Sequence, residues 1–564
     1  MTAGRTRLHV HLSIVSLVAA MCLVPPLAAQ DVQRDAERST SEIIDELRGE
    51  PGAVRRLADR LAATHELLRQ WRYEEAFDEA EALHSEHPKL PAVKFLAGRA
   101  RFYQQDYEGA IELLEKVAGE SGARSRYLEY ARAAFEATQG YVKKRSENFE
   151  VRVAPGADEI LIPLALEALE SARANIGADF DYFPPRRVVV EVYTNADDLG
   201  AASGLPSEAI RNSGTVAVCK HNKIMITTPR ALLLGYTWLD TLAHEYVHFV
   251  VSRVSHNTVP IWLHEGLARH LETRWRGEGG MAMSPYAEVL LAEAVRGDRD
   301  FITFEEMHPS MAYLPTQEHT SLAFAQVSSV MEYFLQQGGH DALRRVMAKM
   351  REGENEKDAI AAALETSFDA FMDRWRAWLA RKALRADAGA SLRKVTYADS
   401  VRGRVPETAE EDIEVDAELE DSTADRHARL GDLLHMREHV AAALIQYEKA
   451  YEAAGPAYPR LPNRLAVTHM RLGNMERALE VLKEALDVNP GYVTTHVHLG
   501  RLYRLTESWE KSREAYERAA HINPFDPEIH MGLIEVCGKL GDEDGVERAS
   551  ASLALLRREA GRAR

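Results

Sequence analysis

The chain has 564 residues, 46% apolar and 28% charged, the make-up of a folded soluble protein long enough for several domains. Its formal net charge is −18 and no basic cluster offsets it, which excludes nucleic acid as a partner. Aromatic residues are only 7%, and Ala, Leu and Glu abound, so a mostly α fold is predicted.

Residues 1–29 have the three parts of a secretory signal: Arg5 and Arg7, an apolar run from Leu12 to Val24, and small residues at Ala28 and Ala29. The run falls short of the ~20 residues a membrane span needs. No later stretch is long and apolar enough either, so the expectation is an exported protein, periplasmic or secreted from a bacterium, with no transmembrane span after signal removal. Cys22 leaves with the signal. Cys219 and Cys537 lie in distant segments and read as two buried thiols rather than a disulfide framework.

Residues 30–145 read as helices joined by short turns. Tyr73-Glu74-Glu75-Ala76 recurs as Tyr107-Glu108-Gly109-Ala110, a spacing of 34. Residues 146–387 differ. Phe149–Val153 and Arg187–Tyr193 are β-branched runs that predict strands, and residues 158–176 between them predict a helix. Thr215–Cys219 and Ile224–Thr228 predict a hairpin turning through residues 220–223, and helical patterns dominate from about 237 to 385. The reading for this segment is an α+β domain. Residues 388–424 are rich in acids such as Glu410, Glu411 and Asp412 and read as a solvated linker. In 425–564 the period returns: Pro456, Pro490 and Pro524 are 34 apart, as are Ala485 and Ala519. Small residues let paired helices approach, and Pro ends the second helix of each pair. The pattern resembles the tetratricopeptide repeat family over about 425–550 and, at fewer positions, over 60–120.

The chemistry concentrates in Thr241-Leu242-Ala243-His244-Glu245-Tyr246-Val247-His248-Phe249-Val250. Thr237 and Asp240 offer an N-terminal cap for a helix here, and Leu242, Tyr246, Phe249 and Val250 recur at core-facing spacing. His244 and His248 are four apart and share one helix face, so both imidazoles can grip one zinc ion, with Glu245 within reach of a water on it. A catalytic zinc site needs a third protein ligand. A second helix opening at Pro260 supplies two carboxylate or imidazole candidates, His264 and Glu265. Neighbours on a helix diverge by about 100°, which ranks His264 below Glu265.

The pairing of His-Glu-x-x-His with Trp262-Leu263-His264-Glu265-Gly266-Leu267-Ala268 resembles the gluzincin metallopeptidases, in particular the peptidase-MA-like domains, over about 146–385. The resemblance implies a zincin-like fold, one Zn2+ per chain, His244, His248 and Glu265 as metal ligands, and Glu245 as general base. Two positions depart from the pattern. Phe324 stands where related domains often have Tyr, which leaves Tyr313 and His319 as candidates for stabilising the oxyanion. Arg269 stands where some gluzincins have an Asp that supports a ligating His. The resemblance also implies that Ile224–Thr228 is an edge strand that pairs with an extended substrate. The function expected is a zinc metallopeptidase acting on protein or peptide substrates recruited by its repeats. The alternative is an envelope assembly scaffold whose zinc site is structural or weakly active.

Overall fold

The computed structural model describes residues 51–119, 122–277, 283–308, 310–385, Tyr397 and 423–562. The expected signal therefore lies outside the described residues, as does the expected linker except for Tyr397, Thr423 and Ala424. The fold is mostly α, as the composition predicts, with a central α+β region, as the β-branched runs predict. Among the described residues no helix is long and apolar enough to cross a membrane.

Five helices open the described chain: α1 (Pro51–Arg69), α2 (Tyr73–Glu86), α3 (Pro91–Tyr103), α4 (Tyr107–Glu115) and α5 (Ala123–Thr138). Tyr73 and Tyr107 each begin a helix and are buried, so the 34-residue spacing marks equivalent positions of two helix pairs. Next come β1 (Val142–Arg145), β2 (Phe149–Val153), α6 (Leu161–Phe180), β3 (Val188–Tyr193), α7 (Ala196–Ser203), α8 (Ser207–Ser213), β4 (Ala217–Lys220) and β5 (Lys223–Thr227). The five strands form one sheet in the order β1-β2-β3-β5-β4. β2, β3 and β5 run parallel, and β1 and β4 pair antiparallel at the two edges. β1 thus gives the sheet its first strand from within the segment 30–145. The hairpin between β4 and β5 turns at His221 (φ 57°) and Asn222 (φ 60°), the pair of left-handed residues that a tight hairpin turn requires. Ile224–Thr228 is not an edge strand, because β5 lies between β3 and β4. The free edge belongs to β4.

Side chains alternate across a sheet, and here the two faces differ in kind. One face carries Phe149, Val151, Val190, Val192, Ile224 and Ile226, all buried, and packs on α6 and on the helix that bears the His pair. The other face carries Arg152, Glu191, Tyr193 and Lys223, also buried, and is covered by the N-terminal helices. Lys223 Nζ donates to Glu191 at 2.5 Å and to Tyr107 Oη at 2.7 Å, Tyr107 donates to Glu191 at 2.7 Å, and Arg152 pairs with Glu191 at 3.1 Å.

The helices that follow are α9 (Trp238–Val254), α10 (Ile261–Leu271), α11 (Pro285–Arg296), α12 (Gln317–Arg351, broken at Gly339), α13 (Glu356–Ala363) and α14 (Phe368–Leu379). Eight more form the C-terminal repeats: α15 (Thr423–Met436), α16 (Val440–Ala454), α17 (Arg460–Arg471), α18 (Met475–Val488), α19 (Val493–Leu505), α20 (Trp509–Ala520), α21 (Pro527–Leu540) and α22 (Glu543–Arg562). The turn between α20 and α21 docks beside the start of α9. There Tyr236 donates its backbone N–H to Ile522 O at 3.2 Å, Trp238 Nε1 donates to Ala520 O at 3.3 Å, and His521 meets Trp275 edge-on. Cys219 and Cys537 are buried thiols outside any disulfide.

Candidate metal centre

α9 and α10 form a helical hairpin that runs through Ser255–Pro260, reversing at His256 and Asn257, both at positive φ. Thr237 occupies the N-cap position of α9, but its side chain caps nothing. Asp240, expected to complete the cap, instead accepts from Trp275 Nε1 at 2.8 Å and pairs with Arg276. The helix is held by burial: every residue from Thr241 to Ser252 is buried. Gly266 in α10 has a packing reason, since a Cβ there would lie 2.9–3.0 Å from Met331 and from the carbonyl of Val327 on α12.

This hairpin brings His244, His248 and Glu265 together, with one ligand atom of each within 4.8 Å of the others. His244 Nε2 and His248 Nε2 are 3.1 Å apart, and Glu265 Oε2 lies 3.4 Å and 3.5 Å from them. Ligand atoms on a tetrahedral ion at zinc distances are separated by roughly 3.3 Å, so the three donors are spaced as such an ion requires. Both oxygens of Glu265 are buried without a hydrogen bond, as are both oxygens of Glu245. Four orphaned carboxylate oxygens in a closed site are costly unless something else completes them. Burial pushes the Glu245 carboxyl up to about 8. Burial raises Glu265, and the two imidazoles, when protonated, outweigh it and draw that carboxyl down. The backbone N–H of Cys219, on β4, faces Glu245.

The groups behind the triad set its tautomers. His244 Nδ1 contacts Glu272 Oε2 at 3.0 Å, and Arg269 Nη1 grips both oxygens of Glu272 at 2.9 and 3.0 Å. A carboxylate only accepts, so the proton sits on His244 Nδ1 and Nε2 presents its lone pair to the triad. His264 lies behind His248, with Nδ1 to Nδ1 at 2.5 Å, while its Nε2 meets Ser252 Oγ at 3.3 Å. A proton on His248 Nδ1 and another on His264 Nε2 satisfy both contacts and again free His248 Nε2. His264 is thus a supporting group and not a member of the triad.

Glu272 escaped the reading of the sequence. The signal was there, because 265, 269 and 272 share one helix face. The departures at Arg269 and Phe324 belong together: the Arg269 guanidinium sits over the buried Phe324 ring, 5.8 Å from its centroid, and from there holds Glu272. Tyr313 is 77% exposed on a single helical turn, and His319 Nδ1 bonds Thr316 Oγ1 in the first turn of α12. The structure does not pack either one onto the buried triad.

Residues 168–381 match the model of the peptidase MA superfamily, and residues 463–527 match that of the tetratricopeptide repeat. None of the curated proteins compared matches the chain. Among solved structures, MamA is similar at 17% identity over 26% of this chain and 87% of its own, with a TM-score of 0.24. The thermophilic TPR protein TTC0263 of Thermus thermophilus is 25% identical over 25% of this chain and 84% of its own, TM-score 0.21. A chain of the APC/C hetero-tetramer Cut9–Hcn1 is similar at 13% identity over 94% of this chain and 95% of its own, TM-score 0.21.

Proposed function

From a peptidase MA superfamily domain at 168–381 and a tetratricopeptide repeat at 463–527, we propose that the chain is an exported zinc-dependent peptidase, which hydrolyses peptide bonds in protein or peptide substrates that its repeats recruit. The observation that carries this reading is the convergence of His244, His248 and Glu265 beside the unpartnered carboxylate of Glu245. His244, His248 and Glu265 would hold the zinc, which when bound supplies an acidified water and a Lewis acid for the carbonyl. Glu245 would take a proton from the attacking water and return it to the departing amide nitrogen. A buried carboxylate whose two oxygens have no other hydrogen-bond partner is suited to both transfers. Glu272 and His264 keep the two imidazoles in the ligating tautomer throughout. Export rests on the sequence of residues 1–29, and recruitment on the known use of such repeats as protein-binding surfaces.

Zinc content tests the reading first. The purified chain is expected to hold about one zinc, sharply reduced in Glu265→Ala. A peptide library should then be cleaved by the wild type, and Glu245→Gln should lose roughly a hundredfold or more of that rate while keeping its zinc. A wild-type chain that takes up no zinc after add-back sinks the proposal.

A further inference from the structure

The free edge of the sheet runs past Glu245, and a residue from far along the chain already sits on it. Thr227 donates its N–H to Val216 O at 2.8 Å, and Val218 pairs with Met225, so Val216 and Val218 turn their peptide groups toward β5. Thr215, Ala217 and Cys219 alternate with them and turn theirs outward. At one end of this outward row, Cys219 N–H faces Glu245. At the other, Thr215 O accepts from Tyr397 Oη at 2.6 Å. Tyr397 is 3% exposed. Its backbone forms an antiparallel bridge to Leu232, in the loop leading to α9, and the Arg211 guanidinium of α8 lies 5.6 Å from its ring centroid. Tyr236, from the same loop, is buried and donates its hydroxyl to Thr227 O at 2.5 Å; burial, and then the nearness of Tyr397 and Glu245, push that hydroxyl's pKa up. The reading of 388–424 as solvated linker is therefore wrong at Tyr397.

Each of these contacts is one that any aromatic residue in an extended chain could make: a ring beneath a guanidinium, a main chain beside a main chain. We infer that the pocket formed by Arg211, Thr215 and Leu232 is a substrate subsite for an aromatic side chain of an extended peptide, and that Tyr397 occupies it as an internal competitor. This deepens the peptidase reading and rests on it for the word substrate. Thr215 to Cys219 spans four residues of strand, roughly 13 Å, which puts the recognised ring about three or four residues from the bond at Glu245.

The test measures binding in the full-length chain carrying Glu245→Gln, so that no peptide is consumed. The probes are a fluorescein-labelled extended hexapeptide with one Tyr and the same peptide with Ala in its place, followed by anisotropy. Freeing an occupied site raises apparent affinity by the reciprocal of the fraction that was open. Tyr397→Ala should bind the Tyr peptide roughly tenfold tighter than its parent and leave the Ala peptide nearly unchanged. Tyr397→Phe keeps the ring and gives up the bond to Thr215 O, and should gain about two- to threefold. An unchanged affinity in either variant, or an equal gain for both peptides, overturns the inference. Cleavage by chains with Glu245 intact is scored separately. Binding gain without cleavage refutes the peptidase reading and keeps the pocket, and cleavage without binding gain does the reverse.

Discussion

The two repeat segments share an architecture and are joined to the middle of the molecule in opposite ways. The N-terminal helices belong to one hydrophobic core with the sheet and the His-bearing helix: Leu61, Phe95, Phe102 and Ala131 cluster with Val190, Tyr246 and Leu267. Their seam is also charged and buried, through Tyr107, Glu191, Lys223 and Arg152, and through Arg253, which grips Glu74 at 2.6 and 2.9 Å. The C-terminal repeats have two cores of their own, centred on residues such as Leu465 and Leu482, and Tyr516 and Ile529. They touch the middle through a few hydrogen bonds, a ring edge and ion pairs, and through Phe525 and Leu556, which pack against the main core from outside. One set of helices completes the body that holds His244, His248 and Glu265, and the other is built largely around cores of its own.

Truncation should break this comparison most visibly. A chain ending before residue 423 should stay soluble and keep its zinc, whereas removing 51–140 should leave aggregated protein, because it strips the cover from a charged sheet face. Zinc retention and size-exclusion profiles of the two shortened chains decide it. A single change sharpens the point. Lys223→Met leaves Glu191 buried against fewer charges and should cost about 3–5 kcal/mol in chemical denaturation. Arg253 and Glu74 give the next effect, with a pH signature. Burial pushes the Glu74 carboxyl up, but the bonds and charge of Arg253 outweigh it and hold it below its ordinary value. The pair's contribution, about 1.5–3 kcal/mol, is whole above the unfolded carboxylate pKa and is lost as the pH falls through the lower folded one. Glu74→Gln should be less stable at neutral pH and show a shallower acid loss than the wild type. The smallest effect is at the C-terminal seam, where Trp238→Phe removes one bond to Ala520 O and should cost about 0.5–1.5 kcal/mol, measured as looser docking of the repeats in hydrogen exchange.

Much of this was legible because it is local or periodic. The His pair and the 34-residue period follow from helical spacing, and Glu265 from the motif that the second helix shares with the family it resembles. What was hidden depends on partners distant in the chain. Thr237 looked like a cap until Asp240 was seen to be taken by Trp275 and Arg276. Ile224–Thr228 looked like an edge because strand order is not encoded in a strand's own residues, and β4 closes the sheet outside it. Tyr397 carries no local mark at all, since its pocket is built from residues more than 160 positions earlier. The charged face is invisible in the sequence: Glu191 falls in a strand run and Lys223 in the expected turn, and neither position shows that Tyr107, more than 80 residues earlier, lies on top of them.

The helical hairpin of α9 and α10 supplies all three members of the triad. An ion held there would therefore clasp two neighbouring helices rather than tie distant parts of the chain. Its loss should act like the release of a latch: α10 opens in sub-global fluctuations while the sheet and the N-terminal helices remain closed. Chelation would then show first as faster amide exchange across Ile261–Leu271, well before any shift in the melting of the whole molecule.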